Sequence, residues 1–114
     1  QRPLYVVSNG TLNEYEGAKR GISSRKGERS VAFNSNELSL MKGDMLYMTS
    51  DGFADQFGGP KGKKYMTRRL KETILEQSSL PMTEQGKGLK KAFDDWMGTE
   101  ESQIDDIVIF GIGL

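Results

Sequence analysis

Met45-Leu46-Tyr47-Met48-Thr49-Ser50-Asp51-Gly52-Phe53-Ala54-Asp55 is the stretch whose reading decides the fold. Its first four residues are apolar without polar alternation, as in a strand buried on both faces. At Ser50 the character changes. A carboxylate, Asp51, stands just past the strand end, and Gly52 lets the backbone turn sharply there. Residues 51–63 are glycine-rich and contain Pro60, so a loop is expected. A carboxylate so placed can reach a metal ion without being buried unpaired. It can equally cap a turn, since Asp-Gly is a common turn pair.

Upstream, Lys42-Gly43-Asp44 reads as a turn, with Asp44 a turn residue. Further back, the apolar stretch Leu4–Val7 and residues 11–16 flank Ser8-Asn9-Gly10, and Asn-Gly between such runs signals a hairpin. Residues 17–29, rich in Gly, Ser and charge, read as a loop, and residues 31–33 as a short strand. Downstream, residues 65–77 carry Met66, Leu70 and Ile74 at a spacing of four, an apolar stripe on one helix face. Pro81 opens a second helix with Leu89, Phe93 and Trp96 as its stripe and Gly98 as its stop. Gly86 and Gly88 weaken its first turns. Residues 107–112 form the last strand, again apolar on both faces. The expected class is α/β (α+β), a mainly antiparallel sheet with two helices on one face. Nothing else in the chain is left to cover the other face, so a second sheet from further sequence, or self-association, is expected there.

Asp105-Asp106 precedes that last strand. Adjacent carboxylates facing an apolar strand repel each other and lose solvation, and a divalent cation relieves both costs. The plainer reading is a solvated, charged loop. If the two acid-bearing strands are neighbours, Asp51 and Asp105 lie at one sheet edge and can share a cation. Two carboxylates alone make a weak Mg²⁺ site, so further ligands are needed.

Composition narrows the chemistry. Lys+Arg and Asp+Glu both number 16, which argues against a general nucleic-acid or anionic-membrane binder. The chain has no Cys and no His, which removes thiolate sites and the commonest zinc ligand. A metal held here is held by oxygen, as a hard cation such as Mg²⁺ or Mn²⁺ is. No apolar run is long enough to insert into a membrane. No signal peptide is present, so cytoplasmic residence is the default. Lys61, Lys63, Lys64, Arg68, Arg69 and Lys71 form a basic run. It reads as a solvated helix face or as a surface attracting a phosphorylated, acidic protein. Gly58-Gly59-Pro60-Lys61-Gly62 lacks the trailing Lys-Ser/Thr of a phosphate-binding P-loop. Trp96 and the scattered Met residues read as core. A Gln at position 1, with apolar residues almost at once, reads as an excised piece of a longer protein.

Taken together these residues resemble a known family. Gly43-Asp44-Met45-Leu46-Tyr47-Met48-Thr49-Ser50-Asp51-Gly52-Phe53-Ala54-Asp55-Gln56-Phe57-Gly58-Gly59 is similar to the second aspartate motif of SpoIIE/RsbU-type phosphatases. Gln103-Ile104-Asp105-Asp106-Ile107-Val108-Ile109 is similar to their terminal aspartate motif, and Arg2-Pro3-Leu4-Tyr5-Val6-Val7 with Asn9-Gly10 to the preceding hairpin. Leu80-Pro81-Met82 and Trp96-Met97-Gly98 fall where the family has such residues. The resemblance covers the whole chain, residues 1–114, as one partial domain. It implies half of a PP2C-like α-β-β-α sandwich. It also implies hydrolysis of phosphoserine or phosphothreonine in a protein by a two-metal, Mn²⁺ or Mg²⁺, centre that activates water. By position Asp51 and Asp105 would be metal ligands. Asp55 matches an acidic position linked to an additional metal. Asp106 stands where relatives have Asp or Asn, and would support the ligand beside it.

The family's first Asp-Gly metal motif has no counterpart in this sequence. The N-terminal half of the domain is therefore expected outside it, and the isolated chain is expected to be inactive. Relatives lie behind sensor or receiver domains in bacterial signalling proteins and often act on a phosphorylated anti-sigma-factor antagonist. Two other readings stay open: a non-catalytic phosphatase-like interaction module, and a generic α/β domain with incidental acids.

Overall fold

The computed structural model describes residues 3–15, 22–25, 28–33 and 36–114. They fall into two compact units, one of Gln1–Met48 with Phe110–Leu114, the other of Thr49–Ile109.

In the first unit, β1 (Leu4–Ser8) and β2 (Thr11–Tyr15) pair from Leu4↔Tyr15 to Ser8↔Thr11. Only Asn9 and Gly10 remain for the turn, and both have positive φ, 52° and 76°. That is the two-residue turn whose twist matches paired strands, and Asn-Gly is the dipeptide that tolerates it. The turn's neighbour Ser8 donates through Oγ to Asp44 Oδ1 at 2.7 Å, and Met41 N donates to Asp44 Oδ2 at 2.9 Å. Asp44 is thus a buried turn residue with both carboxylate oxygens occupied.

Strand β3 (Ile22–Arg25) pairs with β4 (Glu28–Phe33), which pairs with β5 (Asn36–Leu40), all antiparallel. This corrects the loop expected over residues 17–29, of which 17–21 and 26–27 lie outside the described residues. The strand expected at 31–33 extends back to Glu28. A backbone ladder satisfies its own polar groups and does not require an apolar residue at every second position.

Strand β6 (Met45–Thr49) follows the turn at Lys42-Gly43, and the four-stranded sheet runs β2-β1-β6, ending on the last strand of the chain. That strand, at Ile109–Gly113, begins two residues later than expected. The Val108 N–H is already engaged by the Ser50 side chain. Gly43 N to Leu114 O (2.8 Å) and Leu114 N to Asp44 O (3.0 Å) fix it antiparallel to β6.

Leu4, Tyr5, Val6 and Val7 are all buried, as are Leu46 and Tyr47. Both faces of the central strands are therefore covered within the chain, which corrects the expectation of a wholly bare face. Leu4, Val6, Leu40 and Leu46 form one core, with Tyr15, Met48 and Leu114 against it. Each such side chain contributes about 1.5–3 kcal/mol on burial. Among the described residues, large apolar side chains stay exposed at Met41, Phe57, Met66, Leu80 and Met82, and at Ile104, Val108 and Phe110 around the last strand.

The second unit holds a short ladder and two helices. Strand β7 (Phe57–Gly58) pairs with β8 (Lys63–Lys64) inside the expected loop. Helix α1 (Thr67–Gln77) buries Leu70, Thr73 and Ile74. It begins two residues late because Tyr65 N donates to Gln56 O and Met66 N to Ala54 O, extending the ladder instead. Met66 is consequently exposed and leaves the expected stripe. Tyr65 is buried in its place, its hydroxyl hydrogen-bonded to Thr73 Oγ1.

Helix α2 (Met82–Met97) follows Pro81 as expected and buries Gln85, Leu89 and Phe93. Gln85 Nε2 donates to Leu80 O at 2.8 Å, tying the helix to the preceding turn. Gly88 is a packing residue, because a Cβ there would overlap the Gln77 side chain of α1. Salt bridges Lys90–Asp94 and Lys91–Asp95 line its exposed side, where such pairs contribute little. The last strand, β9 (Ile109–Gly113), completes the set.

Candidate metal-binding site

All four acids singled out in the sequence lie in the second unit, Thr49–Ile109. Asp51 is exposed, directly after Ser50 at the end of β6. Asp105 and Asp106 are exposed, ahead of β9. Four contacts bring these segments together. Ser50 N donates to Val108 O at 2.8 Å. Ser50 Oγ accepts from Val108 N at 2.9 Å and donates to Asp106 O at 3.2 Å. Gly52 lies against the Asp106 backbone: a Cβ there would overlap Asp106 O and sit 3.0 Å from the Asp106 carbonyl carbon and from Ile107 Cγ1. Two segments more than fifty residues apart in sequence are thus packed backbone to backbone, each carrying an exposed carboxylate.

Each segment is also braced locally. Asp55, half-buried, donates its N–H to Asp51 O at 2.9 Å, closing the turn that displays both acids. Lys64 Nζ stands 3.9 Å from Asp55 Oδ1. Asp105 Oδ1 accepts from Asp106 N at 2.8 Å, and Gln103 Nε2 donates to Asp105 O at 3.0 Å.

A clamp that the sequence reading missed holds the Asp51–Asp55 loop from behind. Gln56 is almost fully buried, and its Nε2 donates to Phe57 O and to Ser102 O, both at 3.0 Å. The second bond ties this loop to the segment leading into Asp105. Trp96, read as simple core, is partly exposed and donates Nε1–H to Gln56 O at 2.9 Å, while its carbonyl accepts from Gly59 N at 2.8 Å. Gly58 and Gly59 lie so close to Trp96 that neither has room for a Cβ. Phe53 packs on Tyr65 and Phe93, and Tyr65 on Trp96, with ring centroids 5.1–5.2 Å apart. The signal for the clamp was in the sequence as Gly58-Gly59, whose meaning depends on what approaches it.

The donors offered are all oxygen, as a hard divalent cation requires. Among the described residues, no group of three or more acidic, His or Cys side chains is gathered tightly enough to hold a metal ion. The acids' donor chemistry is that of a partial ligand set for such a cation.

The architecture is that of part of a PP2C-like domain. The SiaA-PP2C domain of Pseudomonas aeruginosa is similar to this chain with a TM-score of 0.78 and 29% identity. The match covers 99% of this chain and 43% of that one, so this chain spans less than half of its structural relative. Residues 2–114 match the family model of stage II sporulation protein E (SpoIIE), and the chain belongs to that family. Comparison with curated proteins gives no match. Among the described residues, no helix is long and apolar enough to cross a membrane.

Proposed function

We propose that this chain supplies one part of a metal-dependent serine/threonine protein phosphatase domain in a cytoplasmic bacterial signalling protein. The observation that supports the reading is the backbone contact of Gly52 on Asp106, bracketed by Ser50, which packs the segment bearing Asp51 against the one bearing Asp105 and Asp106. The remaining ligands come from sequence outside this chain, in keeping with its 43% coverage of the related domain.

Asp51 and Asp105 are the proposed ligands. Asp106 supports them through its backbone, and Asp55 is an outer acid balanced by Lys64. When bound, Mn²⁺ or Mg²⁺ supplies the positive charge that activates water and offsets the phosphoryl oxygens. The chain's own part is positional. Ser50 fixes the spacing of the two acidic segments, and Gln56 and Trp96 keep their loop from moving. The proposed substrate is a phosphoserine or phosphothreonine protein, with an anti-sigma-factor antagonist as the first to try. A sensor or receiver domain is proposed upstream in the parent protein.

The test is turnover of a phosphoserine peptide by the intact parent protein with Mn²⁺. The expected result is metal-dependent release of phosphate, lost in Asp51→Asn and Asp105→Asn, with none from the isolated chain. Turnover that persists in both variants, or its absence from the intact protein, overturns the reading, the latter in favour of a non-catalytic interaction module.

A further inference from the structure

From Phe57 to Lys71 the chain carries six basic residues, Lys61, Lys63, Lys64, Arg68, Arg69 and Lys71, and no acid, although its charges cancel overall. The structure places this run beside the acidic site. Phe57 pairs with Lys64 and Gly58 with Lys63. The ribbon continues through Tyr65 N to Gln56 O and Met66 N to Ala54 O, so it flanks the segment that carries Asp55. Lys64 stands between Asp55 (3.9 Å) and the Phe57 ring, 5.9 Å from its centroid. Lys61, Lys63, Lys64 and Arg68 are exposed. Arg69 lies over Trp96, 4.7 Å from its centroid, and donates to Tyr65 O.

Two apolar side chains are displayed among these cations. Phe57 is 38% exposed and Met66 56%. Met66 has φ 80°, a conformation that side-chain-bearing residues rarely adopt. It is imposed from both sides, because Met66 N closes the ribbon on Ala54 O while Met66 O accepts the first helical bond, from Leu70 N. Such strain persists only where the surroundings enforce it, and it collects at binding sites. Exposed apolar anchors among cations have the composition of a protein-docking face.

Electrostatics selects the occupant. A phosphorylated residue approaching Asp51, Asp55, Asp105 and Asp106 meets four acids. An adjacent cationic ribbon offsets that repulsion and speeds encounter with negatively charged partners. We propose that β7, β8 and the first turn of α1 dock the substrate protein through an acidic segment flanking its phosphorylated residue. This rests on the phosphatase reading above.

The test uses the intact parent protein and two fluorescein-labelled phosphoserine peptides, one with acidic and one with lysine flanks. Binding and Mn²⁺-dependent turnover are measured for both. The expected wild-type preference for the acidic peptide is about tenfold, shrinking as the salt concentration rises and screening sets in. Lys63→Glu with Arg68→Glu brings the ratio to about one or inverts it. The milder Lys63→Gln with Arg68→Gln lowers it, and serves if the reversal fails to fold. Because the ratio compares two peptides on one variant, a general loss of structure does not move it. A ratio unmoved in variants that still turn over peptide overturns the docking proposal alone. Absence of turnover in the wild type overturns the phosphatase reading instead. Cosedimentation of the protein with phosphatidylserine vesicles, lost in these variants while the peptide ratio holds, reassigns the face to a membrane surface and also overturns the proposal.

Discussion

Replacing Gly52 by Ala probes the contact on which the site depends. The added Cβ would overlap Asp106 O and stand 3.0 Å from the Asp106 carbonyl carbon and Ile107 Cγ1. Ordinary carbon–carbon contact is about 3.5–4.0 Å, so the two segments must part by about 0.5–1 Å. The obstacle is mostly backbone, and Ser50 pins that backbone through bonds to Asp106 O and Val108 N, so relief by side-chain rotation is closed. Forced overpacking of this kind costs about 1–3 kcal/mol. If Asp51 and Asp105 share a cation, most of that cost falls on the bound state, and about 1.4 kcal/mol is a factor of ten in affinity. The expected outcome is roughly 10- to 100-fold weaker Mn²⁺ binding to the intact parent protein by titration calorimetry. Gly86→Ala is the matched control. A Cβ there meets nothing within 4 Å, and Ala in a helix is favoured over Gly by about 1 kcal/mol. It should leave Mn²⁺ affinity alone and raise the denaturation midpoint. Wild-type Mn²⁺ affinity in Gly52→Ala would show that the two acidic segments do not bind metal jointly.

Four further outcomes are expected. Ser50→Ala, which removes the hydroxyl bridging Asp106 O and Val108 N, should cost about 1–3 kcal/mol by denaturant titration and weaken Mn²⁺ binding; an effect on neither measurement counts against its bracing role. Trp96→Phe keeps a ring and loses the bond to Gln56 O, about 1 kcal/mol, whereas Trp96→Ala should cost about 3–5 kcal/mol; equal midpoints for the two variants would refute the clamp. Asp44→Ala strands Ser8 Oγ and Met41 N and should cost about 1–3 kcal/mol without changing metal affinity, so a shifted Mn²⁺ titration would contradict its assignment to the fold. Strand β9 lies at the sheet edge with Phe110 57% exposed, so the isolated chain should self-associate in sedimentation runs and Phe110→Lys should reduce this; a monomer at every concentration argues otherwise.

What could be read from the sequence followed from local rules. Asn9-Gly10 announced its hairpin because few residue pairs accept two positive φ angles. Pro81 and Gly98 bounded α2 for equally local reasons. Strands β3 to β5 could not be read that way. Their stability comes from pairing with one another, and residues such as Ser23, Ser24, Ser30 and Ser39 give no period-two signal. Met66 failed for a related reason: its spacing fits the α1 stripe, but its N–H is taken by Ala54 O. At the candidate site, residue type marked Asp51 and Asp105. What holds their segments together was invisible, because Gly52 and Ser50 act on partners more than fifty residues away.

The division of labour at the site has a physical logic. The bonds that bring the acidic segments together are made chiefly by backbone atoms and by uncharged side chains: Ser50, Gln56 and Trp96. Asp51, Asp105 and Asp106 stay exposed. Where ion pairs do such holding, a cation has to break them in order to bind, and its affinity falls by their strength. Asp55 is the contrasting case, with Lys64 at 3.9 Å in a half-exposed pair. Such a pair is weak enough to yield, so a cation or a phosphoryl group can displace either partner at little cost. The contacts between the two segments are thus chiefly neutral, and the acids lie at the surface, where a ligand arriving with its own charge can reach them.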